Sequence, residues 1–91
     1  MMQSADAETL ALKALAFLAS SEDVLTPFLI TTGMALADLR RRAGDPDVLA
    51  AVLDFCLASD TLLSELAASL GVDVLEVHAA RRALPGGVYD P

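Results

Sequence analysis

Residues 45–58 read DPDVLAAVLDFCLA, and this stretch decides the fold. Asp45 is a typical N-cap residue, Pro46 suits the first helical position, and Asp47 lies where the helix dipole favours negative charge. After this start the only charged residue is Asp54, and apolar residues recur at the three- and four-residue spacing of a helix. The stretch therefore predicts a central, largely buried helix.

The residues before this stretch predict three further helices. Ser4 or Asp6 caps the first, which runs to about residue 19. Because proline disrupts a helix interior, the second helix either starts at Thr26 or carries a distortion at Pro27. Gly33 is expected to end this second helix in the left-handed conformation that glycine adopts readily.

A third short helix is predicted over about Leu36–Ala43, ending at Gly44. Asp38 is spaced three and four residues before Arg41 and Arg42, so it can form an ion pair with either of them along the helix.

Two more helices follow the central one. Ser59 opens the fifth helix and Gly71 closes it, whereas Asp73 and Glu76 have the spacing of a capping box at the start of the sixth. Residues 81–82 are arginines in the last turn of the sixth helix, where cations favour the dipole. Turns of only one to three residues join these predicted helices. The sequence therefore predicts an all-α fold, a compact orthogonal bundle of five to six short helices.

Length and composition agree with one small helical domain. The chain has 91 residues, of which 17 are Ala and 17 are Leu, two residue types that favour helices. Only 7 Val and 1 Ile are present, too few for a sheet protein. We expect a single helical domain over residues 1–87 and a frayed tail over residues 88–91.

Charge and cysteine content exclude several classes of protein. The net charge of −7 argues against a nucleic-acid partner and against an anionic membrane surface. A single cysteine forms no internal disulfide, and no basic, apolar leader opens the sequence. The longest uncharged run, residues 24–37, is shorter than the ~20 residues of a membrane span. A cytoplasmic location is expected.

No constellation of residues points to catalysis. Cys56 lies on the apolar face of the central helix and is read as a core residue, and His78 is the only histidine. Asp45 and Asp47 are read as helix caps because two carboxylates are too few for a calcium loop. We therefore expect neither an enzyme, nor a cofactor, nor a metal, nor a small-molecule ligand.

Basic side chains are the candidates for contact with a partner. The set is Arg40, Arg41, Arg42, His78, Arg81 and Arg82. The arginines fall in two clusters that match an anion site, since guanidinium groups bind anions through two hydrogen bonds. The simpler interpretation is that both clusters complement helix dipoles at the ends of their helices.

Residues 61–84 have the spacing of a helix-turn-helix, with Ala67 where the helices approach and Gly71 in the turn. In a DNA-binding protein the helix after Asp73 enters the major groove. Asp73 and Glu76 would then face phosphates, which they repel, so a DNA-binding regulator is the alternative function rather than the leading one.

An excess of apolar residues is the remaining clue to function. Apolar surface that a small domain cannot bury usually marks a partner interface, and a twofold homodimer is the commonest way to cover it. Many of these residues are alanines, which bury little area each, so a monomer is also compatible with the composition. The leading prediction is a non-enzymatic helical protein-interaction module that is able to self-associate.

Several segments, taken in order, resemble a family of small proteins classed as domain of unknown function family 3572. The matching segments are 14–19 (ALAFLA), 28–29 (FL), 32–33 (TG), 38–40 (DLR), 45–46 (DP), 49–55 (LAAVLDF) and 84–87 (LPGG). The chain departs from the family pattern at residues 35–37, where a proline or cap residue is expected, and at Pro27. The resemblance implies an all-helical fold and supplies no activity, ligand or catalytic residue.

Overall fold

The computed structural model describes residues 3–84, which form six α-helices and no strand. The helices are α1 (Ser4–Ala19), α2 (Glu22–Thr32), α3 (Leu36–Arg41), α4 (Pro46–Leu57), α5 (Asp60–Leu70) and α6 (Val74–Ala83). Adjacent α1 and α2 are bent by 114° at their junction, so consecutive helices do not simply run up and down. The predicted all-α bundle is confirmed, whereas the predicted domain end at residue 87 and the tail over 88–91 lie outside the described residues.

Half of the residues of the central helix α4 are buried, which agrees with the predicted, largely buried helix. Its buried residues are Val48, Leu49, Ala50, Val52, Leu53 and Cys56. It packs against α1, α2, α5 and α6. Asp45 occupies the N-cap position and Pro46 the first turn, but the Asp45 carboxylate makes no capping hydrogen bond. It accepts one from Arg42 Nε at 3.0 Å instead, so the position of the cap was predicted and its bonding was not.

Helix α1 packs most extensively on α4 and α6. Its buried face consists of Ala7, Leu10, Ala11, Ala14, Leu15 and Leu18. The predicted cap at Ser4 or Asp6 is wrong because the helix already begins at Ser4 and Gln3 holds the N-cap position. The Gln3 carbonyl accepts the first hydrogen bond of the helix, from the Ala7 N–H at 3.0 Å, and no side chain that the structure describes caps the N–H groups of the first turn.

Helix α2 begins at Glu22 and continues through Pro27, so a start at Thr26 is wrong. Proline removes one backbone donor, and the carbonyl that loses it belongs to Asp23, an exposed residue that water can reach. Gly33 ends the helix with φ of 72°, as predicted. Phe28 is the one residue of α2 that is fully buried.

Helix α3 is shorter than predicted and ends at Arg41. Because Arg42 lies beyond the last helical turn, its guanidinium reaches Asp45 rather than Asp38. Arg41 Nη2 does pair with Asp38 Oδ1, at 2.7 Å. Of the six helices, α3 makes the least extensive contact with the others, and Leu39 is its one buried side chain.

The last two helices start as predicted. Ser59 Oγ accepts a hydrogen bond from the Leu62 N–H at 3.2 Å at the start of α5. A capping box opens α6, where Asp73 Oδ1 accepts from the Leu75 N–H at 3.1 Å and Glu76 Oε1 accepts from the Asp73 N–H at 3.2 Å. Both acidic side chains are thus held at the helix N-terminus that they cap.

Candidate functional site

A groove lies between the first three helices and opens to solvent. It encloses about 360 Å³, a volume within the ~300–1,000 Å³ range of binding pockets. Six of the side chains that line this α1–α3 groove are apolar and two are charged. The lining residues are Leu15, Ala19, Glu22, Leu25, Leu36, Leu39, Arg40 and Ala43.

The two charged residues of the α1–α3 groove are not paired. Within residues 3–84, neither Glu22 nor Arg40 has an oppositely charged group within 4.0 Å or makes a side-chain hydrogen bond. Both residues are exposed. The groove therefore combines an apolar floor with one free acid and one free base at its border.

The other two arginines of the first cluster have partners on neighbouring turns. Arg41 pairs with Asp38, and Arg42 pairs with Asp45. Both pairs are solvent-exposed, and exposed pairs contribute at most about 1 kcal/mol each. Arg41 and Arg42 are thus held in weak pairs within the chain, whereas Arg40 has no charged partner within residues 3–84.

In the second cluster, the structure separates Arg81 from Arg82 and His78. Arg82 and His78 are exposed on α6, whereas Arg81 is 8% exposed. Its Nε donates to Asp54 Oδ1 at 2.6 Å and its Nη1 donates to the Leu84 carbonyl at 3.4 Å, while its Nη2 is buried without a hydrogen-bond partner. Arg81 therefore joins α6 to α4 and is not available to a partner.

Sequence reasoning missed the pair between Arg81 and Asp54, although two signals pointed to it. Asp54 is the only charge after the first turn of an otherwise apolar helix. Arg81 follows Val77 by four residues and precedes Leu84 by three, which places it on the buried face of α6.

The predicted helix pair at residues 61–84 is formed by α5 and α6. Gly71 turns the chain with φ of 71°, and Ala67 is buried. A cleft of about 170 Å³ lies between this turn and α1, lined by Asp6, Thr9, Leu10, Lys13, Leu70, Val72 and Glu76. The start of α6 thus carries its own carboxylates, and α1 adds Asp6 and the single cation Lys13 beside it, so carboxylates outnumber cations there and disfavour phosphate.

Cys56 is fully buried in the core, as predicted for a core residue. Burial raises the pKa of its thiol from 9.0 to about 11, because a thiolate is poorly solvated among apolar side chains. Cys56 makes no hydrogen bond with His78 in the described part of the chain. The two residues do not form a nucleophile and base pair.

This raised pKa predicts a specific loss of stability in alkali. The unfolded chain releases the thiol proton near pH 9 and the folded chain only near pH 11, so ionisation favours unfolding above pH 9. We expect the contribution of the thiol to the free energy of unfolding to be constant below pH 9. It should then fall by about 2–3 kcal/mol as the pH approaches 11. Urea unfolding of the natural chain and of Cys56→Ala, from below pH 9 to about pH 11, measures this loss as the difference between their free energies of unfolding. A difference between the two that does not change with pH contradicts the prediction.

Few large apolar side chains are left exposed. Within residues 3–84 they are Leu12, Ile30, Leu36 and Leu75. The apolar excess in the sequence is therefore mostly absorbed by the core and by alanines. Among these four, Leu36 is the one that lines the α1–α3 groove, so the groove carries exposed apolar surface.

The described residues form neither a metal cluster nor a single membrane-spanning helix. In the part of the chain that the structure describes, no three His, Cys, Asp or Glu side chains come together as a metal site. In the same part, no single helix has both the length and the hydropathy to cross a membrane, and only the bent pair of α1 and α2 reaches them jointly.

Comparison with known proteins places the chain in a family. No curated protein and no solved structure matches the chain. A family model described as protein of unknown function (DUF3572) matches residues 4–87. This match covers all six helices and confirms the resemblance that the segments in the sequence indicate. The chain belongs to the DUF3572 family.

Proposed function

We propose that the protein is a non-enzymatic protein-interaction module and that the α1–α3 groove is its docking site. The observation that carries this proposal is the groove itself, an open apolar floor bordered by the unpaired charges of Glu22 and Arg40. Covering apolar surface is favourable by about 25 cal/mol per Å². Free charges at the border add specificity, because a partner must meet both of them.

The titratable groups favour binding over catalysis. Because the pKa of Cys56 is raised, its thiol stays protonated near neutral pH and lacks the thiolate character of a nucleophile. His78 forms no hydrogen bond with a carboxylate in residues 3–84, so no group there orients it as a general base.

A photo-crosslinking residue in place of Leu36 tests the docking role in the native cells. Leu36 is 41% exposed and lines the groove, whereas Leu75 is 69% exposed and does not. Both lie in the first turn of a helix, so the second position is a matched control. We expect a covalent adduct with a polypeptide at position 36 and little or none at position 75, as read by mass spectrometry.

The outcomes of this experiment separate the possible occupants of the groove. An adduct with another polypeptide or with a second copy of the chain supports a docking role. Equal labelling at the two positions contradicts it, as does no polypeptide adduct at position 36.

The second candidate function is a DNA-binding regulator that uses residues 61–84. The observation in its favour is the three-residue turn through Gly71 between α5 and α6. The carboxylates at the start of α6 weigh against it. A titration against mixed-sequence duplex DNA at low salt distinguishes the two functions, since phosphate contacts are strongest there.

A further inference from the structure

We propose that the occupant of the α1–α3 groove is a second copy of the chain, placed by a twofold axis that sets Glu22 of each copy against Arg40 of the other. This inference rests on the proposed docking role of the groove and names its partner. Charge complementarity of the groove with itself carries the inference.

Glu22 and Arg40 border one apolar floor, yet no ion pair joins them or ties either one to another described residue. In a twofold interface each residue meets its counterpart twice, since residue i contacts residue j and residue j contacts residue i. The twofold rotation therefore gives the unpaired Glu22 carboxylate and the unpaired Arg40 guanidinium an oppositely charged partner at the same time. No other partner is needed to complete them.

The charge of the whole chain narrows the choice of partner. Two copies with a net charge of −7 repel each other over most of their surfaces. The groove border is locally neutral, because it carries one carboxylate and one guanidinium. A basic partner would be repelled by Arg40, and an acidic partner would be repelled by Glu22. A second copy carries both charges at the matching separation by construction.

Apolar contact in the dimer is also reciprocal. Leu36 is exposed at the groove, whose floor includes Leu15, Leu25 and Leu39. In the proposed arrangement Leu36 of each copy packs on the floor of the other. The same rotation that pairs the charges thus covers the exposed leucine twice.

Charge reversal tests the pairing directly by sedimentation velocity over a wide range of concentrations. Glu22→Arg places two arginines against each other in the homodimer, and Arg40→Glu places two glutamates. We expect each variant alone to raise the Kd of dimerisation by about tenfold or more. Mixing the two variants in equal amounts restores both opposite-charge pairs, so we expect a heterodimer with a Kd near that of the natural chain.

Matched controls separate pairing from general effects of charge. Asp23→Arg changes the residue beside Glu22 in the first turn of α2, outside the groove lining. Arg82→Glu changes an exposed arginine in the last turn of α6, as Arg40 is in α3. Both controls are expected to leave the Kd within about threefold of the natural value. Circular dichroism checks that every variant is folded.

A second pair of variants tests the apolar contact that Leu36 makes in the proposed dimer. Leu36→Asp is expected to abolish the dimer, whereas Leu75→Asp, also in a first helical turn, is expected to retain it. A natural chain that stays monomeric overturns the inference, and so does a mixture of the charge variants that fails to associate. If the chain is monomeric while position 36 crosslinks to another polypeptide, self-association is wrong and the docking role stands. If no polypeptide adduct forms at position 36, the docking role of the groove and self-association through it are both wrong.

Discussion

Replacing Phe28 by alanine is expected to lower the free energy of unfolding by about 3–5 kcal/mol. Phe28 is fully buried and is the one side chain of α2 that reaches the core completely. Its ring meets that of Phe55 on α4 edge to face, with centroids 5.4 Å apart and planes at 79°. The truncation removes this contact and leaves a cavity where α2 is anchored. Urea unfolding followed by circular dichroism gives the change.

Ile30→Ala is the control for Phe28→Ala on the same helix. Ile30 is 75% exposed, so its truncation is expected to change the stability by no more than about 0.5 kcal/mol. Phe28→Leu keeps most of the apolar volume and should fall between the two. Equal effects at positions 28 and 30 would show that Phe28 does not anchor α2 to the core.

Asp54→Ala is expected to lower the free energy of unfolding by about 2–4 kcal/mol, more than an exposed carboxylate normally contributes. Asp54 itself is half exposed, but its partner Arg81 is buried and already has one guanidinium nitrogen without a hydrogen bond. Removing the carboxylate leaves a buried cation without a counter-ion. Chemical denaturation measures the loss, with Asp38→Ala as the control because Asp38 belongs to an exposed pair.

The double variant Asp54→Ala with Arg81→Met tests whether the loss of stability comes from the charge of Arg81 being left buried without a counter-ion. Methionine keeps much of the apolar stem and removes the charge, so we expect the double variant to be more stable than Asp54→Ala alone. A double variant that is less stable than Asp54→Ala contradicts the account of an uncompensated buried cation. A loss at Asp54 no larger than that at Asp38 contradicts it as well.

The ends of the helices could be predicted from sequence wherever the signal is local. Gly33 and Gly71 both adopt the left-handed conformation at the predicted stops, and the Asp73–Glu76 capping box forms as its spacing indicates. Such signals span about four residues, so neighbouring helices seldom change them. The prediction went wrong where two local partners competed, as for Asp45, whose carboxylate bonds to Arg42 instead of to the helix.

Features that depend on how the helices pack could not be derived in the same way. Asp54 and Arg81 are separated by 27 positions, and their contact depends on the crossing of α4 and α6. The α1–α3 groove similarly needs the relative placement of three helices. Sequence reasoning named Arg40 as a candidate contact residue but gave no reason to join it with Glu22, because no local pattern links the two.

The packing of α1 against α6 also affects how the chain folds during synthesis. The first helix presents an apolar face to one that is made last among the described elements. At about 5–20 residues per second, the ribosome leaves that face of α1 without α6 for seconds. Native packing of α1 against α6 must therefore follow translation of α6.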